Sequence, residues 1–310
     1  MSIKEHPPHQ ERSNGSDPNE PRLHVPVLLD QTLALLAPNL GEAYLDLTAG
    51  YGGHARRFLA ITNNYTDATL VDRDDYAMSH LEDLADKGVR RMHTDFADAA
   101  VQLVKEGTQF DIVLIDLGVS SPQLDQRERG FSFTKSGPLD MRMDRRQEVT
   151  AETLVNTAPR DELVRIITMY GEEPLRFARQ VADAIVNARP LHTTDELADL
   201  VKQTYRGKWK KIHPATRTFQ ALRIAVNHEL EQVETVLPLL PKLLKKGGRV
   251  GIISFHSLED RLVKQYFSDQ TNAGYEAELQ VVTKKPVAGD IYDVHNPRSR
   301  SAKLRVAVKK

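Results

Sequence analysis

Two periods of apolar spacing alternate along this chain. Short apolar runs at 43–47, 68–71, 89–93 and 110–115 are separated by stretches in which apolar residues recur at helical spacing. Runs of that length bounded by turn residues read as buried strands, and the stretches between them as crossover helices. Residues 25–36 carry Val27, Leu28, Leu35 and Leu36 at helical spacing, and 54–60 forms a second such segment. The alternation predicts a parallel α/β sheet.

From 122 to 223 the strand signal fades. Residues 161–170, 175–187 and 194–204 read as amphipathic helices, the last opened by a Thr193–Glu196 capping pair. This block reads as an all-helical insertion. A long helix over 216–239 leads back to the sheet. Gly247-Gly248 precede a fifth strand at 249–254, and 279–283 with 303–308 close as an antiparallel hairpin. The division expected is a disordered tail at 1–22, a sheet domain made of 23–124 and 224–310, and a helical insertion at 125–223. The tail is polar and rich in Pro, Glu, Ser and Asn, with no apolar core of a signal peptide.

Composition then removes several classes. At 310 residues with 40% hydrophobic and 27% charged positions, the chain reads as an ordinary soluble globular protein. No apolar run approaches the ~20 residues of a membrane span, so no membrane partner is expected. Cysteine is absent, which suits a cytoplasmic location and excludes thiolate attack, cysteine-ligated clusters and cysteine-based zinc sites. Net charge is −1, yet 206–223 and 294–310 each hold six Lys/Arg and no Asp/Glu. In the first stretch Trp209, His213 and Phe219 interleave with the cations, a pattern suited to stacked bases and phosphates in RNA.

The segment Leu45-Asp46-Leu47-Thr48-Ala49-Gly50-Tyr51-Gly52-Gly53-His54 is a strand, an acid, a glycine-rich turn and a helix start. This is the build of a nucleotide-type cofactor pocket at the first strand of an open sheet. It lacks the glycine spacing of a dinucleotide site and the lysine of a phosphate loop. Asp46 would repel a phosphate and suits an ammonium, such as the methionine end of S-adenosylmethionine. Acids recur at the next strand ends as Asp72, Asp95 and Asp116. Asp72 is placed to accept from ribose hydroxyls, and Phe96 to pack on an adenine face. The loop Asp116-Leu117-Gly118-Val119-Ser120-Ser121-Pro122-Gln123 can offer oxygens to a target amine, as in amino-group methyltransferases. No metal-ligand spacing appears. Ser254-Phe255-His256-Ser257-Leu258-Glu259-Asp260-Arg261 lacks a nucleophile elbow and reads as a helix start capped by Ser257. His256 is a candidate lining residue of the target pocket.

These residues resemble those of the bacterial ribosomal RNA small-subunit methyltransferase H family, also called MraW. The matching stretches are His24-Val25-Pro26-Val27-Leu28-Leu29, Gly52-Gly53-His54, Val71-Asp72-Arg73-Asp74, and Asp116 onward through Glu128-Arg129-Gly130-Phe131-Ser132-Phe133. Gly137-Pro138-Leu139-Asp140-Met141-Arg142-Met143-Asp144, TRTFQALRIAV at 216–226, and the segments 254–261 and 296–306 complete them. The turn at Asp46-Leu47-Thr48-Ala49-Gly50-Tyr51 departs from the family's usual run. The resemblance implies a Rossmann-like methyltransferase sheet with an inserted helical, substrate-recognition domain. It implies methyl transfer from S-adenosyl-L-methionine to N4 of a cytidine in the decoding region of 16S rRNA of the small ribosomal subunit. The implied cofactor-binding residues are Gly52, Gly53, His54, Asp72, Phe96, Asp116 and Gln123. The resemblance implies no general base; from its place after the fourth strand, Asp116 is the candidate for orienting the amine or the cofactor. A non-catalytic ribosome-assembly factor and a DNA amino-methyltransferase are the alternative readings. Monomer and homodimer both remain open.

Overall fold

A computed structural model describes residues 26–207 and 212–310. Eight strands form one sheet: β1 Tyr44–Asp46, β2 Thr69–Asp72, β3 Arg90–His93, β4 Phe110–Asp116, β5 Leu244–Ser254, β6 Leu279–Val281, β7 Val287–Ala288 and β8 Lys303–Lys309. Their order is β3-β2-β1-β4-β5-β8-β6, with β7 also beside β8. The first five are parallel, and β8 runs antiparallel to β5, β6 and β7.

The sheet is buried on both faces because alternate residues of each central strand feed different cores. Val113 and Ile115 of β4 join one cluster with Phe96, Leu103, Val236 and Val263. Ile112 and Leu114 join the other with Leu36, Phe58 and Leu59. That period of two explains why β4 reads as a continuous apolar run. A third core lies off the sheet. It is built from helices Ala151–Thr157, Arg160–Met169, Leu175–Ala188, Thr194–Thr204 and Ala215–Asn227, with Leu139, Met141 and Met143 packed among them. The expected capping pair forms there: the Glu196 carboxylate accepts from the backbone N–H of His192 and Thr193 at 2.8 and 3.0 Å.

Three elements differ from expectation. The long helix over 216–239 is two helices, Ala215–Asn227 and Glu229–Val236, broken at His228 with φ 51°. Side chains on either side of the break explain it. Asn227 clamps the loop at 141–143, donating to Met141 O at 2.7 Å and accepting from Met143 N at 2.8 Å. Glu229 then turns back onto Arg223. The fifth strand starts at Leu244, before the glycine pair, where its pairing with β4 is irregular. The short strand β7 carries no periodic signal at two residues and was not anticipated. Residues 1–22 and the cluster Lys208, Trp209, Lys210 and Lys211 lie outside the described residues.

Candidate active site

Strand order reverses between β1 and β4, and in open α/β sheets ligands bind outside the carboxyl ends at such a switch point. A cavity of about 400 Å³ lies there, lined by the 47–51 turn, the ends of β2 and β4, and the loop after β4. It also takes Met143, Arg223 and Glu229 from the helical side.

The acids at the strand ends do different work. Asp72 accepts the backbone N–H of Gly50 and of Asp74, both at 2.8 Å, and lines the cavity. Burial raises its pKa, against those hydrogen bonds. Asp116 lines the cavity at the end of β4, and its Oδ1 is buried with no hydrogen-bond partner among the described residues. Its Oδ2 lies 3.6 Å from Nε2 of His54. Burial first, then the charges of Asp46 and Glu259, push the Asp116 carboxyl well above the usual carboxylate range. Asp95 caps the helix Phe96–Glu106 by accepting from Asp98 N at 2.9 Å. Phe96 opens that helix, with its ring split between the cavity wall and the core.

Asp46 does not meet the expectation of a ligand-facing acid. It is 1% exposed and lies behind the cavity, accepting from Tyr44 Oη at 2.8 Å and Thr48 N at 3.2 Å. Burial pushes its pKa to about 7, opposed by those two hydrogen bonds. A raised folded-state pKa means the folded protein holds this proton more tightly than the unfolded chain does. Its contribution to stability is therefore complete below the unfolded value of about 3.9 and is lost as pH rises through about 7. Asp46→Asn removes that slope. The variant is expected to gain on wild type by ~2–4 kcal/mol between pH 4 and 8 in urea unfolding. A constant difference across that range would contradict this.

Gly52 and Gly53 serve geometry. Gly52 has φ 78°, and a Cβ there would stand 2.9 Å from Leu81 Cδ2, so it shapes the turn rather than the cavity lining. Gly53 lines the cavity, and a Cβ on it would come within 2.7 Å of Pro26 Cγ. His54 follows in the helix Gly53–Thr62 and is buried beside Asp116. Gln123 is at the cavity edge with both amide atoms engaged. Its Oε1 accepts from Ser120 N at 2.9 Å and its Nε2 donates to Asp74 Oδ2 at 2.8 Å. The same Asp74 oxygen accepts from Arg129 Nη1 at 2.7 Å, an ion pair buried to 5% and 3% exposure. Arg129 also donates to the carbonyls of Arg142 and Met143. This junction was not anticipated, although its residues stand in the motifs quoted above. Nothing in spacing alone tells a buried acid from a capping one.

Other expectations need correction. His256, not Ser257, caps the helix Ser257–Asn272, and it does not line the cavity. Ser257 instead donates to Glu172. Glu229, His256 and Glu259 bring possible metal-ligand atoms within 4.8 Å of one another. Arg223 holds the first of these carboxylates, and backbone N–H groups hold the second. In the first basic stretch Phe219 is 4% exposed and packs against Phe133, which also meets His213. Arg223 is partly buried and held in an ion pair with Glu229. In the second stretch Arg298 pairs with Asp125, and Lys303 and Arg305 with Asp260. Four of the twelve cations of the two stretches are thus tied in ion pairs, while Lys208, Lys210 and Lys211 lie outside the described residues.

Sheet order and a switch-point cavity rimmed by acids define a class: Rossmann-like α/β enzymes with their ligand site at the strand ends. The comparisons narrow it. A family profile described as the MraW methylase family matches residues 22–310, and the chain belongs to that family. A protein of Cyanothece sp. named ribosomal RNA small subunit methyltransferase H is 48% identical over 92% of this chain and 94% of its own. One of the same name from Citrifermentans bemidjiense is 46% identical over 92% and 98%. Among solved structures, TrmN from Thermus thermophilus matches at TM-score 0.42 and 11% identity over 91% of this chain and 48% of that one, too remote to carry an argument. Among the described residues no helix is long and apolar enough to cross a membrane.

Proposed function

We propose that this chain methylates N4 of a cytidine in the decoding region of 16S rRNA, in the cytoplasm, with S-adenosylmethionine as methyl donor. The observation that carries the reading is Asp116: a buried carboxyl at the switch point with one oxygen unpaired among the described residues and the other 3.6 Å from His54 Nε2. Membership of a methylase family, and close relatives named for the small-subunit RNA, support it.

The residues fit the donor. Burial raises both Asp72 and Asp116, so a ligand with sulfonium and ammonium charges would relieve both. A pyrophosphate would aggravate them. Asp72 would hold the ribose hydroxyls, Phe96 the adenine face, and the turn with Gly53 and His54 the amino-acid end. When bound, the donor supplies an electrophilic methyl carbon.

The remaining work belongs to the chain. The exocyclic amine of cytosine is conjugated with its ring and is a poor nucleophile. Asp116 would accept one N4–H, draw the lone pair out of conjugation and aim it, then take the proton lost as the N–C bond forms. Placement supplies much of the rate. The target base must leave its stack to reach the cavity. The helical insertion and the basic stretch 206–223 are the parts proposed to hold the RNA.

The test is methyl transfer from labelled donor to small subunits from a strain lacking the homologous enzyme, read by nucleoside mass spectrometry. N4-methylcytidine is expected. Donor binding with no transfer to any subunit form or to naked RNA would defeat the reading.

A further inference from the structure

Arg223 lies four residues before the end of the helix Ala215–Asn227, and Glu229 opens the next helix. The guanidinium Nε and Nη2 each donate to one Glu229 oxygen at 2.8 Å. The two side chains are 17% and 6% exposed, and both residues line the cavity. A guanidinium has five N–H donors. Two are used here, and the others, including both on Nη1, find no acceptor among the described residues. The helix end that carries Arg223 is fixed, because Asn227 donates to the Arg223 carbonyl at 2.9 Å while clamping the 141–143 loop.

Arg73, another guanidinium of the cavity lining, is engaged by Asn227 O and Met143 Sδ. Phe255 and Met143 are apolar there, and Glu229 is taken by Arg223. Glu259 accepts backbone N–H from Phe255 and His256 at 2.8 and 3.2 Å, and its other oxygen lies 3.1 Å from His256 Nε2. The Glu259 charge acts on both Asp116 and Arg223, so the three groups share one neighbourhood. Cytosine presents a donor at N4 and acceptors at N3 and O2 along one edge. With the N4–H on Asp116, those acceptors need a donor. Uracil offers the opposite pattern, an acceptor at position 4 and N3–H, and would meet repulsion at both ends. Reading a flipped base through that edge is how such pockets select.

We propose that Arg223 is the specificity-determining residue of the target pocket, its free N–H groups donating to the N3/O2 edge of cytosine. Glu229 is the positioning residue, since a two-point pair with a carboxylate fixes the plane of the guanidinium. This rests on the cytidine reading above.

The deciding variant is Arg223→Gln/Glu229→Gln, which removes both charges together and so leaves no uncompensated one. Arg223→Lys is run beside it as a variant that keeps a cation for Glu229. For both, the thermal midpoint and the calorimetric affinity for S-adenosylmethionine should stay near wild type, while kcat/KM on small subunits falls about 10- to 100-fold, the worth of a charge-assisted hydrogen bond. Inhibition by cytidine 5′-monophosphate should also lose its advantage over uridine 5′-monophosphate, a change that a merely structural ion pair would not produce. Product from wild type with little from the variants supports the assignment. Wild-type rates in either variant, or an unchanged cytidine preference, overturn it. No N4-methylcytidine from wild type overturns the cytidine reading and this assignment with it.

Discussion

Asp116→Asn is expected to lower methyl transfer by about 10²- to 10⁴-fold while the protein stays folded. Asparagine keeps the shape and one acceptor, but it presents a donor to an amine that already has protons to give, and it cannot take the proton released. The wild-type rate should rise with pH as the Asp116 carboxyl ionises, at a pH above the ordinary carboxylate range because burial and the charges of Asp46 and Glu259 oppose that ionisation. The slope should vanish in the variant. Stability moves the other way. The folded protein prefers Asp116 protonated, so its ionisation weakens the fold as pH rises, and Asp116→Asn should be at least as stable as wild type near neutrality. Single-turnover rates against pH, with melting curves on the same samples, check both halves. Near-normal turnover, or a variant that unfolds, would remove Asp116 from its assigned place.

Asp74→Ala should be the most destabilising of these substitutions, at ~3–5 kcal/mol in denaturant unfolding. One Asp74 oxygen caps the helix Asp75–Ser79 by accepting from Tyr76 N at 3.0 Å. The other takes Gln123 and Arg129 together. Alanine would leave the Arg129 guanidinium buried with only backbone carbonyls for company. It would also release the loop that follows Asp116, so activity should fall with stability. Asp74→Asn/Arg129→Met removes both charges and should recover much of the lost stability. A loss below about 1 kcal/mol for Asp74→Ala would show that the pair is as weak as an exposed one.

The sheet was legible because its strands announce themselves. Residues 110–115 are apolar without a break, since both faces of β4 are covered, and each of the first four strands gives way to an acid. Helix ends with side-chain caps were legible too, as at Thr193 and Glu196. What the residues could not disclose was partnership. Asp46 and Asp116 look alike in sequence, yet one is held behind the wall by Tyr44 and the other faces the cavity with an oxygen unpaired. The difference lies in which way a strand pleat points and where the crossing chain lands. Arg223 reads as one cation of a basic run, and only the break at His228 turns Glu229 back onto it. Phe219 reads as an exposed ring among charges and proves to be core, because its helix buries that face.

The cavity takes its walls from two cores: Asp72 and Asp116 from the sheet, Met143 and Arg223 from the helical unit. Occupants of its two ends therefore share a boundary that neither core owns. By linkage, whatever factor a docked nucleotide adds to donor affinity, the donor must add to nucleotide affinity. Spent donor weakens the grip on RNA only as far as it lacks the contacts that the charged methyl group made. The order of arrival and release is thus set where the two cores meet, not in either one alone.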